Sequence, residues 1–319
     1  MAFVSSSAAS SRPRYLPVAA LVFNAFVWGT SWWAFRRLES HGLHPLWATA
    51  MIFVLAALVI VVLRPRAVGQ VLRTPALWVL IAASGTTNAA FNWGVVIGDV
   101  VRVVLLFYLM PLWTVLLARL LLGERFSARA LLRVVLGLTG AAIVLWPSGA
   151  VGLAALPLPR TLADGLGLLG GFTFALNNVM LRREAARPEE GRALAMFVGG
   201  ALVAGTLASV LGAHGKVAWP PALSTSWIGL ALGLAAFFLI GNLALQYGAA
   251  RLPANRTAVV MLTEVLFAAA SAVAFGGEVL TAPLLFGGAL IAIAASLATP
   301  SAATKAARIA TTPQTRPSA

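Results

Sequence analysis

The chain has 319 residues, 60% of them hydrophobic and 10% charged, with a mean hydropathy of +0.91. A soluble domain carries about 25% charged residues, so this chain cannot cover a water-facing surface. Its formal charge of +14 marks orientation-setting loops rather than a nucleic-acid surface, and its lack of cysteine excludes disulfides, thiol chemistry and cysteine metal sites.

Residues 1–15 form a polar, Ser- and Arg-containing cytoplasmic arm that does not resemble a cleaved signal peptide. Ten apolar spans follow, at about 16–35, 46–63, 76–97, 101–122, 129–147, 162–181, 193–212, 226–248, 255–276 and 282–299. Each approaches the ~20 residues that cross ~30 Å of hydrocarbon as a helix. The short alternating segments of a spanning barrel are missing. The expected fold is therefore all-α and integral to the membrane, with a link between halves at Gly149–Arg160 and a disordered cytoplasmic tail over 301–319. With the N-terminus inside, 18 of the 23 basic residues lie on the inner side, which places both termini in the cytoplasm.

The chain repeats itself. A shift of 154 puts Asn242 on Asn88, Gln246 on Asn92, Tyr247 on Trp93, Arg256 on Arg102 and Gly277-Glu278 on Gly123-Glu124. A shift of 146 aligns Phe26, Trp28, Ser31 and Trp32 with Phe172, Phe174, Asn177 and Asn178. The units are 16–149 and 150–300, five helices each. An odd number of spans per copy turns the second copy upside down, the inverted-repeat plan of secondary transporters with a site near mid-membrane.

Polar residues inside spans are costly and tend to face a bundle interior. Asn24, Trp28, Ser31 and Trp32 form one stripe on the first helix, and Asn88 and Asn92 share a face of the third. Tyr108 and Trp113 flank Pro111 on the fourth. Asn177 and Asn178 mark the sixth, and Phe238, Asn242 and Gln246 the eighth. Together they suggest a cavity with amide groups and aromatic walls, suited to a small amphipathic or aromatic metabolite. Interhelical glue is the alternative for each amide. Glu264, the acidic residue placed deepest in an apolar span, either exchanges a proton or holds a substrate amine, or makes a structural hydrogen bond. Arg102 and Arg256 occupy equivalent helix starts, where they snorkel or gate. Trp47, Trp78, Trp146, Trp219 and Trp227 read as interfacial anchors. His41 and His44 offer two ligands with no third and do not make a metal site. Gly165, Gly167, Gly170 and Gly171 lack a following Lys-Ser/Thr, so they allow close helix packing rather than forming a phosphate loop.

Leu122-Gly123-Glu124-Arg125, Gly277-Glu278, Pro111, Glu264 and Trp28-Gly29 carry a resemblance to the EamA family of the drug/metabolite transporter superfamily, over about residues 16–300. The resemblance implies an inner-membrane carrier, monomeric or homodimeric, that works by alternating access without a cofactor, with proton coupling as an option. Family substrates include amino acids, aromatic ones in one branch, and also riboflavin and nucleobases, so an importer of such a vitamin or base is the second carrier reading. A Glu-Pro step is common in the ninth span of the family. Here Met110-Pro111 keeps the Pro and Glu264-Val265 the Glu, which leaves a proline kink in one half only and speaks against symmetric hinging. A membrane enzyme would need a cluster of His or acidic residues that the sequence lacks, and a scaffold or sensor would pack its polar stripes with no cavity between them.

Overall fold

The computed structural model describes residues 15–98, 100–125, 127–146, 159–275 and 281–297. Thirteen helices and no strands occur among them. They are α1 (Leu16–Ser40), α2 (Pro45–Leu63), α3 (Arg66–Arg73), α4 (Pro75–Ile97), α5 (Val100–Phe107), α6 (Met110–Leu122) and α7 (Ala128–Val144), then α8 (Leu162–Arg183), α9 (Glu189–Ala213), α10 (Thr225–Arg251), α11 (Ala254–Met261), α12 (Glu264–Phe275) and α13 (Ala282–Ser296). Every expected span contains a helix. Among the described residues six helices are long and apolar enough to cross a membrane, counting α5–α6 and α11–α12 as one each, or seven with the bent α3–α4 pair. The terminal arm, most of the inter-half link, the tail, Gly277-Glu278 and the Arg102 side chain lie outside the described residues.

The ends of these helices are written locally. Thr74 precedes Pro75, is held extended (φ −122°, ψ 98°), and turns the chain by 97° between α3 and α4. The short, two-arginine α3 was not legible as a helix of its own. Thr161 and Asp164 form a reciprocal capping box at the start of α8. Gly123 ends α6 at φ +66°, a left-handed conformation that suits glycine. The Glu124 carboxylate beside it accepts the Ala254 N–H at 3.2 Å and so caps α11 in the other half. Buried Arg192 in the first turn of α9 donates to the Leu181 and Glu184 carbonyls, both at 3.3 Å, meeting the negative end of α8. His41 lies against the Arg37 carbonyl and His44 accepts from the Leu46 N–H, so both act at helix ends.

The main packing pairs are α4 with α8 and α9, α2 with α9, α7 with α13, and α1 with α10 and α12, while α5 and α6 lie against α8. Glycine permits the closest of these. A Cβ on Gly199 of α9 would lie 2.2 Å from the Ile81 carbonyl oxygen of α4. Loops gather at two ends. At one, Gln70 meets Glu190 (3.2 Å), Arg251 meets Glu189 (3.6 Å), Arg182 meets the Ala250 carbonyl and Arg133 meets Asn255 (3.4 Å). At the other, the Trp47 and Trp219 rings lie 5.4 Å apart and Gly42 approaches Pro221.

Two long apolar helices are interrupted. The helix from 100 to 122 breaks at Tyr108-Leu109, and the one from 254 to 275 breaks at Leu262-Thr263, positions 154 apart. A proline stands at the first break only, as expected, but the second half is interrupted at the equivalent place, against the expected asymmetry of hinging. Pro111 accounts for the first break, since it has no N–H for the Phe107 carbonyl. The second forms without proline: Leu262 and Thr263 donate three residues back, to Val259 (3.2 Å) and Val260 (3.0 Å), and the Thr263 hydroxyl also bonds Val260 O at 2.7 Å.

Candidate functional site

The two breaks face one cavity. Glu264, the first residue of α12, lines it, and the Tyr108 hydroxyl at the other break is hydrogen-bonded to the Glu264 carboxyl group. The cavity holds about 70 Å³, enough for a few waters and well short of the ~300 Å³ or more of a metabolite pocket. Its walls come from α1, α2, α4, α5, α8, α9, α10 and α12.

Seven of its fifteen lining residues are aromatic. Trp28 and Phe238 stand 4.5 Å apart between ring centroids, Phe91 and Phe107 4.9 Å, Phe53 and Phe197 5.2 Å, and Phe107 and Phe174 5.6 Å. Such tilted and edge-on pairs hold one another in place. Polar groups enter at separate points. Asn88 bonds back to the Ser84 carbonyl at 2.8 Å, which orients its amide along α4. Asn242 donates to the Met196 sulfur at 3.4 Å. Asn177 is 1% exposed, lines the cavity, and its Oδ1 has no protein partner. An acceptor held dry and unpaired is costly unless something else meets it.

Of the residues singled out from the sequence, Trp28, Asn88, Phe174, Asn177, Phe238, Asn242 and Glu264 line this cavity, with Tyr108 bonded to one of them. The others lie elsewhere. Asn24 donates to the Gly241 carbonyl at 2.8 Å and ties α1 to α10, and Trp32 donates to Ser271 at 2.8 Å, tying α1 to α12. Asn92 donates to Thr49 at 2.9 Å. Gln246 is fully buried, against Asn242 at 2.8 Å and, in the amide orientation that pairs donors with acceptors, the Glu189 carbonyl and Ala193 N–H at 3.1 Å. Trp113 packs on Phe172 with its ring centroid 5.7 Å away, and its indole N–H has no partner. Asn178 is fully buried beside the cavity wall and neither amide atom is partnered.

Phe53, Ser84, Thr87, Phe91, Phe107, Met196, Phe197 and Leu245 line the cavity without having been singled out. Only Ser84, one turn before Asn88, and Thr87, next to it, carried a readable sign, as hydroxyls beside an amide. A phenylalanine facing a cavity and one facing lipid look alike in sequence. A second groove of about 470 Å³ lies on the opposite face of α4, among Thr86, Trp93, Leu166, Leu202 and Leu207, and no charged group lines it. Among the described residues no group of three or more His, Asp and Glu could hold a metal ion.

A multi-pass helical membrane protein built around a partly polar interior cavity is the class this geometry defines. Residues 16–146 match the EamA-like transporter family, the family that the sequence resembles. The family is one of membrane transporters, so a small-molecule substrate and a lipid bilayer are its partners. A solved crystal structure matches with a TM-score of 0.71 at 19% identity, covering 90% of this chain and 98% of its own, and shows a shared fold. No curated protein sequence matches the chain.

Proposed function

We propose that the protein is a secondary transporter that moves a small metabolite, an amino acid or similar compound, across the inner membrane in the direction of export. It works by alternating access between two inverted five-helix repeats, 16–149 and 150–300, with both termini in the cytoplasm. The observation that carries this reading is the meeting of two interrupted helices, from equivalent places in the two halves, at one cavity through Tyr108 and Glu264. Interrupted helices at a repeat interface are where such carriers place their substrate and coupling-ion sites.

The packing supports the repeat. Exchanging the copies turns α4 on α8 into α10 on α1, α4 on α9 into α10 on α2, and α6 on α8 into α12 on α1, and all of these contacts occur. The contacts of α2 with α9 and of α7 with α13 map onto themselves. The cavity itself speaks against a scaffold with fully packed stripes. Its small volume fits a nearly closed state that must widen to admit a metabolite. Aromatic walls, amides at Asn88, Asn177 and Asn242, and one carboxyl suit a compound with an apolar body and an amino group. Export is the direction the family resemblance implies.

Purified protein in proteoliposomes, loaded in turn with amino acids, aromatic amines, nucleobases and riboflavin, provides the test. Saturable flux of an amino acid or amine, at least tenfold over protein-free vesicles, is the expected result. No flux of any compound would overturn the carrier reading, and flux of riboflavin or a nucleobase alone would replace the substrate class.

A further inference from the structure

The end of the molecule that gathers the arginine-rich loops holds a guanidinium with little to bind. Arg133, in the second turn of α7, is 6% exposed. Its Nε has no partner, and its side-chain hydrogen bond to Asn255 Oδ1 is long, at 3.4 Å. The charged groups that act on it are Arg256, on α11, and Arg129, one turn back on α7. Both are positive. Glu124 stands at the same corner, with its Oε1 on the Ala254 N–H and its Oε2 buried without a hydrogen-bond partner, and among the described residues it forms no ion pair with any of the three arginines. A buried cation that is neither paired nor fully hydrogen-bonded is strongly unfavourable.

The repeat does not require this arrangement. At the shift of 154, Arg129 and Arg133 fall on Pro283 and Gly287, so the second half has neither charge. The arginines are thus an addition to one copy. A planar guanidinium fork matches the oxygens of a phosphate or carboxylate and binds them two at a time. Beside it on α7, Leu131, Leu132 and Val135 are exposed on the helix flank, as expected of residues in contact with acyl chains.

We infer that Arg129, Arg133 and Arg256, with Asn255, form a binding site for a phosphate-type oxyanion at the corner of α7 and α11. The apolar flank favours the phosphodiester headgroup of an anionic lipid over free phosphate. Bound there, the anion supplies the partner that Arg133 Nε lacks and offsets part of the positive charge gathered between two helices of opposite halves.

The test uses the full chain in detergent and reads thermal unfolding and lipid retention in native mass spectrometry, not transport. Phosphatidylglycerol in mixed micelles should raise the melting temperature of the wild type over phosphatidylcholine, and the protein should retain it. Inorganic phosphate, against chloride at equal ionic strength, forms the second arm. A rise with phosphatidylglycerol only identifies the headgroup, and an equal rise with phosphate identifies the free ion. Retention should weaken roughly fivefold for each arginine removed, in Arg133→Gln and in the double variant Arg129→Gln/Arg256→Gln. The double variant leaves the buried position intact and decides the matter if Arg133→Gln does not fold. Lys216→Gln, away from this corner, should behave as wild type. If neither ligand raises the melting temperature, or if the double variant responds as wild type does, the site is refuted.

Discussion

Glu264 and Tyr108 show how the two halves came to differ. In the repeat Glu264 corresponds to Met110 and Tyr108 to Leu262, so each copy places a polar group where the other has an apolar one, and the two polar groups meet. The sequence isolated Glu264 because a carboxyl in an apolar run is conspicuous, and Tyr108 because it flanks a proline. Their pairing was not legible, since the residues are far apart in the chain and only the fold joins them. The amides were equally visible one by one, yet Asn177 faces the cavity while Asn178, its neighbour, does not, and helix rotation alone decides that. If the pair carries a proton, Glu264→Gln, which preserves shape and a hydrogen bond to Tyr108, should fold and insert normally. It should lose ~10²-fold or more in flux and whatever pH dependence remains. Tyr108→Phe should keep coupling but shift the pH profile, because the carboxyl loses its partner. Equal flux and an equal pH profile for Glu264→Gln would leave the carboxyl a structural role only.

Helices were the most legible elements, because long apolar runs leave few other choices. Their closeness was less so. Glycine in an apolar run reads as a packing residue, but which glycine touches what depends on rotation and depth. Gly85 and Gly199 show the difference, since their helices α4 and α9 approach so closely that a Cβ on Gly85 would lie 2.4 Å from the Gly199 carbonyl oxygen. Gly69, in α3, has nothing within 4 Å of where its Cβ would be. Gly199→Ala should therefore destabilise by about 1–3 kcal/mol, since backbone must move apart. Gly69→Ala should be neutral or stabilise by up to ~1 kcal/mol through helix propensity. Thermal unfolding of the two variants in one detergent measures this, and equal melting temperatures would show that α4 and α9 can separate freely. The break at Leu262-Thr263 was illegible for a related reason. Without proline it depends on a threonine hydroxyl competing for a backbone carbonyl, and most threonines in helices bond backward with no break.

The whole molecule depends on which loops share a side. Charge counting placed the loops around Arg64, Arg125, Arg187 and Arg251 together from the sequence, and their residues do meet at one end: Gln70 with Glu190, Arg251 with Glu189, Arg133 with Asn255. Trp47 and Trp219 meet at the other. Contacts of this kind define two ends, and the arginine bias leads to the expectation that the arginine-rich end faces the cytoplasm. The natural absence of cysteine makes the orientation testable without altering the background. Arg64 and Lys216 are exposed at opposite ends. Arg64→Cys in intact cells should resist a membrane-impermeant maleimide and react only after permeabilisation. Lys216→Cys should react at once. If the two halves are inverted repeats that enter from opposite sides, as proposed, Ser40→Cys, in the first half at the same end as Lys216, should label with it. Reaction of Arg64→Cys from outside would turn the protein over, and protection of Ser40→Cys with labelling of Lys216→Cys would break the two-ended arrangement on which alternating access depends.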